Sequence, residues 1–255
     1  MQFQFFPKFM ICDAIDGAGK GAIPEVVKEW AQERGLRFFD AGKHAVDHHE
    51  IPSWDEVKKQ NPDVLFVAEP THEGVGRTIR LRLNKSKAFD PLTIAHAFAI
   101  DRFVLYEALV GLALRDGVYV VSDRAVTTSL VYQPIDAERR GGDRRAFAQV
   151  VEELPGNKYA MGFVPGMIML LHADVDVAQA RLESREKKDD SHFEEKEFQR
   201  KVAAAYWDKE FRDIYEKRGT KFADLVQAKD ETRKETKQKA KQLWELYVAS
   251  IEDKN

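Results

Sequence analysis

Two glycines and a lysine at the end of an apolar run are the first residues here whose types and spacing suit chemistry. In Phe9 to Lys20, FMICDAIDGAGK, the apolar Phe9, Met10, Ile11 and Cys12 suit a buried strand. Gly17 and Gly19 then let the backbone wrap an anion, Lys20 adds a positive charge, and a helical pattern runs from Ile23 through Val26, Val27 and Trp30. Unpaired amides at a helix N-terminus favour an anion. Strand, glycine-rich turn, lysine and helix start in this order therefore make a phosphate cradle of the P-loop kind, formed by Asp16, Gly17, Ala18, Gly19, Lys20, Gly21 and Ala22. Against the pattern G-x-x-x-x-G-K-[ST], Ala14 stands at the first glycine, and Gly21 stands where a hydroxyl usually helps to hold magnesium.

More candidates lie where other apolar runs end, because the ligand crevice of an open α/β sheet lies at the carboxyl ends of its strands. Val64 to Ala68 leads into Glu69, which is read either as a ligand contact or as a loop anchor. Val118 to Ser122 delivers Asp123 and Arg124; an acid there can organise magnesium or its waters, and the planar fork of an arginine can pair with phosphate. Phe98 and Arg102 share a face if their segment is helical, so a ring could stack while the guanidinium grips an anion, although Asp101 and Arg102 can equally form a surface ion pair. Thr128, Ser129, Tyr132 and Gln133 offer hydroxyls, a phenol and an amide to a polar base and sugar, or simply begin a helix.

The elements needed to position these residues alternate between strand and helix. Apolar runs at 9–12, 36–39, 64–68, 118–122 and 167–172 are strand-like, with a possible short strand at 222–225. Helical stripes lie between them, including one from Asp90 or Pro91 to Arg115, and a charged helix spans Asp230 to Ser250. Pro155-Gly156 is expected to break a helix that ends at Leu154. The stretch 40–63 departs from the alternation: it is polar, contains Gly42, Pro52 and Pro62, and reads as an insertion around a short helix at Ser53 to Lys59. If it were helical, His44 and His48 would share one face and admit zinc or nickel; otherwise they are loop histidines, like His49. The mixed charges of 181–197, with Arg181 and Arg185, suit a mobile lid or a solvated face.

Composition narrows the classes. The 255 residues suffice for one substantial core, and we expect 1–255 to form a single domain. A net charge of -3 offers no general attraction for nucleic acid or an anionic membrane. The lone Cys12 permits no internal disulfide and suits a reducing compartment, and no run approaches the roughly 20 apolar residues of a membrane span, so a cytoplasmic protein is expected.

In this order and spacing, the motifs resemble those of thymidylate kinases: DAIDGAGK at 13–20, AEPTHEGVGRTIR at 68–80, DPLTIAHAFAIDR at 90–102, SDRAVTTSLVYQ at 122–133, and LESREKKDDSHFEEKEFQRKVAAAYWD at 182–208. The resemblance implies an α/β, Rossmann-like P-loop kinase fold with about five parallel strands and helices on both faces. It implies phosphoryl transfer from ATP to dTMP with magnesium, usually by a homodimer. By position, Lys20 would hold the ATP phosphates, Asp16 would meet the acceptor or its magnesium beside Asp123, and Phe98 would stack on thymine. Arg102 would contact thymine or phosphate, and Arg124 would grip the acceptor phosphate. Glu69 would border the pocket; Thr128, Ser129 and Gln133 would lie near the base; and Tyr132 would fill the place of a ribose 2′-hydroxyl. Arg185 or Arg181 would serve as the lid cation. The family commonly has glycines where Thr71 and His72 stand, and 40–63 lies outside its pattern. A kinase for another nucleotide or deoxynucleoside, and a P-loop protein that binds without turnover, are the competing expectations.

Overall fold

The computed structural model describes residues 2–185 and 191–253, so Lys187 and Lys188 of the expected lid lie outside the described residues. In chain order the elements are β1 Gln4–Ala14, α1 Ala22–Glu33, β2 Phe38–Asp40, α2 Ala41–His48, α3 Trp54–Lys58, β3 Val64–Ala68, α4 Gly74–Leu81, α5 Pro91–Leu105, α6 Gly111–Arg115, β4 Tyr119–Asp123, α7 Val126–Arg139, α8 Arg144–Glu153, α9 Pro155–Met161, β5 Phe163–His172, α10 Val175–Glu183, α11 Lys196–Ala205, α12 Lys209–Glu216, β6 Lys221–Val226 and α13 Arg233–Glu252.

The strands form one sheet in the order β2-β3-β4-β1-β5-β6, parallel at every pairing. A parallel sheet is covered on both faces, which is why its strands read as continuous apolar runs: Phe9 to Cys12, Val64 to Val67 and Met167 to Leu171 are all buried. The register sets the site. Cys12 and Ala68 both lie opposite Asp123, so Asp13, Glu69 and Arg124 leave the sheet together at its carboxyl edge.

The sheet has six strands where about five were expected, the sixth being the 221–226 segment at the edge. β1 begins earlier than its apolar core because Phe6 is buried and stacks on Phe163 at 5.6 Å, across an irregularity between Phe6 and Met10. Phe3 and Phe5 stay largely exposed. The break expected before Pro155 occurs, since α8 ends at Glu153; Pro155 then opens a new helix, α9, because proline is tolerated in the first turn. The expected long helix is continuous in path, but Tyr106 to Val110 form a wider π turn between α5 and α6.

The insertion is more ordered than its polar composition suggested. α2 is capped by Asp40, whose side chain accepts from the Lys43 amide at 2.7 Å, and α3 carries a reciprocal capping box between Ser53 and Glu56. Trp54 and Val57 enter the core, and the Trp54 indole donates to Asp116 at 2.9 Å. His44 and His48 do share a face and stack at 4.2 Å, yet no group of three metal-capable side chains occurs among the described residues. Likewise, no helix among them is long and apolar enough to cross a membrane.

Candidate active site

The turn after β1 is built for close approach. Gly17 and Gly19 have φ of +78° and +89°, a left-handed region that glycine enters without strain. A Cβ on Gly17 would stand 2.3 Å from the Ala178 carbonyl oxygen, so a larger residue is excluded by both angle and space. Gly21 precedes α1 with no side-chain cap, which leaves the helix N-terminus open to an anion. Lys20 reaches across the sheet edge to pair with Asp123. From α10, Arg181 donates to the Ala18 carbonyl at 3.1 Å and to Gln227 at 3.1 Å, laying its guanidinium along the loop. Arg185 lies exposed just beyond α10.

Beside the loop, one arginine spans two carboxylates. The Arg124 guanidinium bonds Asp13 at 3.2 Å and also Asp16, and it lies over the Tyr132 ring at 5.3 Å. Its backbone adopts φ +66°, an uncommon conformation for a residue with a side chain, anchored by its amide to the Cys12 carbonyl at 2.9 Å. Asp13 is fully buried and satisfied: Thr127 and Thr128 donate to it at 2.7 Å each, and the Ala14 amide donates at 2.9 Å. Burial, helped by Asp16, raises the Tyr132 phenol well above its usual range, so it stays protonated.

Gln199 has the clearest contact with the site that sequence inspection missed. It is buried on α11, accepts from the Asp16 amide at 3.0 Å and donates to the Asp16 carboxylate at 3.0 Å. The same amide donates to the Phe193 carbonyl at 2.5 Å. A glutamine beside the buried Phe198 carries no signal in the sequence until α11 is folded against the loop.

A cavity of about 500 Å³ opens beside this lattice. Of the residues singled out from sequence, Asp16, Glu69, Phe98, Arg124, Thr128, Tyr132 and Gln133 line it. Arg77, Arg80 and Lys85 join Arg124 as cations in the same wall, and Ser191 and Phe193 border it from the later part of the 181–197 segment. Arg80 also steadies the loop 69–73 after β3 by donating to the Pro70 carbonyl at 2.9 Å. Spacing alone did not distinguish these basic residues from ordinary surface charge on a short helix.

Arg102, Ser129 and Asp123 are not among the lining residues. Arg102 is 1% exposed and donates to Glu69 at 2.8 Å, Ser129 at 3.0 Å and the Ala125 carbonyl at 3.2 Å, with Asn157 as a further partner. It therefore ties α5 to β3 and α7 behind the cavity, and the expected surface ion pair with Asp101 does not form: Asp101 instead accepts from the Thr71 amide at 2.8 Å. Burial pushes the Glu69 carboxyl up to about 7 against the pull of Arg102.

His192 is held neutral behind the same wall. Arg140 donates to its Nε2 at 3.1 Å, which leaves Nδ1 as the donor to the Asn84 carbonyl at 2.9 Å. Burial, then Arg139, lowers its pKa from 6.5 to about 4. A depressed histidine takes up its proton later in the folded than in the unfolded chain, so its contribution to stability is lost as pH falls from 6.5 toward 4. We expect His192→Gln to show a smaller drop in urea midpoint between pH 7 and 4.5 than the parent; equal drops would assign the acid sensitivity elsewhere.

A strand-loop-helix phosphate cradle facing a cation-lined cavity at the carboxyl edge of a parallel sheet defines a nucleotide-dependent phosphotransferase of the P-loop class. Comparison with known proteins gives the family. The thymidylate kinase family model matches residues 54–218. Thymidylate kinase of Neisseria meningitidis serogroup B is 30% identical over 205 residues, covering 80% of this chain and 82% of the relative. A probable thymidylate kinase of Methanococcus maripaludis is 31% identical over 200 residues, covering 78% and 76%. In fold, the crystal structure of thymidylate kinase from Ehrlichia chaffeensis matches with a TM-score of 0.56 at 15% identity, over 93% of this chain and 97% of that one. The chain belongs to the thymidylate kinase family, and so to the nucleoside monophosphate kinases.

Proposed function

We propose that this chain transfers the γ-phosphoryl group of ATP to dTMP, giving dTDP. The observation that carries this reading is the position of Arg124: its fork spans Asp13 and Asp16, and it lines the cavity together with Asp16, a residue of the phosphate loop. An acceptor phosphate is already anionic at neutral pH, so no general base is needed. Catalysis then rests on aligning two repelling polyanions and neutralising charge as the group moves. Lys20 would turn from Asp123 to the donor phosphates, Arg124 and Arg80 would hold the acceptor phosphate, and Phe98 would stack on the base. Arg185 would bring lid charge to the transferring group, while Arg181 already lies on the loop.

Asp16 and Asp123, paired here with Arg124 and Lys20, would be the carboxylates that hold magnesium, an ion commonly held by one or two carboxylates together with substrate phosphates and water. When bound, magnesium would neutralise phosphate charge. Gly21 offers no hydroxyl for it, but a Cβ there would meet nothing within 4 Å. We therefore expect Gly21→Ser to fold normally and to reach half-maximal rate at a severalfold lower magnesium concentration. An unchanged magnesium titration would remove the hydroxyl from the account.

The deciding experiment is ADP formation from ATP and magnesium with dTMP, dUMP, UMP, AMP, CMP, GMP and thymidine in parallel. Preference for dTMP supports the proposal. Preference for another nucleotide would fit the second reading, favoured by His72, which stands in the loop 69–73, the acceptor loop of this proposal, where the family commonly has glycine. Nucleotide binding without turnover would fit an impaired P-loop protein. Leu92, Ile100 and Val104 are exposed together along α5, which suits a homodimer and can be tested by sedimentation. The whole chain would act as one cytoplasmic domain, with Cys12 reduced and buried.

A further inference from the structure

The insertion packs on the acceptor loop and supplies part of the cavity wall. Val46 on α2 and His49 just beyond it line the cavity alongside His72. His49 has φ +60° and closes α2 by donating its amide to the Ala45 carbonyl at 3.0 Å, so the chain turns sharply at a residue that borders the cavity. Immediately afterwards the Ile51 amide donates to the Glu73 carboxylate at 2.5 Å. Glu73 directly precedes α4, the helix that carries Arg77 and Arg80 into the same wall. Beneath α2, the contact with the acceptor loop leaves a gap of only about 10 Å³, bordered by Ala41, Ala45, Thr71 and His72. The other end of the insertion is fixed independently, through the Trp54 and Lys58 bonds to Asp116 at 2.9 and 2.8 Å.

An insertion that only lengthened a surface connection would need neither anchor. Fastening at Ile51 and again at Trp54 and Lys58, with Val46 and His49 facing the cavity just ahead of the first anchor, is the arrangement of a binding wall. We propose that 40–63 is a working part of the acceptor site, in which Val46 and His49 contact the acceptor nucleotide and Glu73 positions them through the Ile51 amide. The proposal rests on the kinase reading above and deepens it: the family-type residues grip the phosphate and base, and the insertion adds contacts that set acceptor affinity and choice. Glu73 acts through the backbone of another segment and is a positioning residue, so its effect must travel with that of His49.

The test is steady-state kinetics with dTMP and ATP on His49→Ala, Glu73→Ala, their double variant and Glu73→Gln, with thermal midpoints as a check on folding. Each alanine variant should raise the acceptor KM about tenfold, the size of one lost polar contact, while the ATP KM stays within about twofold. The double variant should be no worse than either single, because both remove the same contact. Glu73→Gln keeps an accepting oxygen and should stay near the parent. Unchanged acceptor KM in both singles, an equal rise in ATP KM, or additive effects would overturn the proposal. If the parent turns over no nucleoside monophosphate, the kinase reading fails by itself, and calorimetric titration of the same variants with dTMP decides this one: tenfold weaker binding supports it, and equal binding or no binding by the parent overturns it.

Discussion

Arg124→Lys is expected to lower kcat/KM for the acceptor by about 10²–10³-fold, the range found when one preorganised donor to a developing charge is removed. Lysine keeps the charge but loses the planar fork, and only the fork spans Asp13 and Asp16 together while lying over Tyr132. Because Asp13 keeps its bonds from Thr127 and Thr128, the variant should remain folded. The loss should fall mainly on the acceptor, with ATP affinity little changed, since the phosphate loop's amides and Lys20 are untouched. Isotope-transfer or coupled assays at varied dTMP and fixed ATP separate the two. A variant within tenfold of the parent would place the acceptor phosphate elsewhere in the cavity, with Arg77, Arg80 and Lys85 the remaining cations of its wall.

The second large effect concerns stability. Arg102→Met should destabilise the fold by about 3–5 kcal/mol, because it strips the partner from a buried carboxylate and leaves Asn157 and Ser129 without their donor. For a chain of this size that corresponds to a melting point lower by roughly 6–20 °C. Adding Glu69→Gln should recover much of the loss, since an amide has no charge to strand. The pH dependence gives a sharper check. The folded Glu69 carboxyl is raised to about 7 from 4.5, so its unfavourable burial is absent below 4.5 and grows as pH rises through 7. Without Arg102 the penalty should be steeper, making the single variant weaker at pH 8 than at pH 6. A variant as stable as the parent at both would show that the pair contributes nothing net.

Both effects involve residues singled out from the sequence, yet they fall on different properties for reasons the sequence does not contain. Phe98 and Arg102 lie one turn apart, and helical periodicity made them neighbours on one face. Whether that face looks into the cavity is decided by how α5 sits on β3 and α7. In the folded chain Phe98 borders the cavity and Arg102 turns behind it. The insertion shows the opposite failure. The short helix expected at Ser53 to Lys59 forms as α3, but the polar composition left α2 only conditional, and neither its Asp40 cap bond nor long-range anchors such as that of Trp54 to Asp116, 62 residues away in sequence, follow from periodicity.

What the sequence by itself determined is local. Continuous apolar runs ending in Asp13, Glu69 and Asp123 specify buried parallel strands and the edge where chemistry gathers, and Gly17, Gly19 and Lys20 specify the phosphate turn, because backbone angles and strand periodicity act over a few residues. Only the tertiary structure decided which charges meet. It paired Arg124 with two aspartates, Lys20 with Asp123 and Arg102 with Glu69, set Gln199 against Asp16, and carried Val46 and His49 from the insertion into the cavity wall. Those meetings depend on the order of strands and the packing of helices over separations of tens to more than a hundred residues, where periodicity along the chain has no reach.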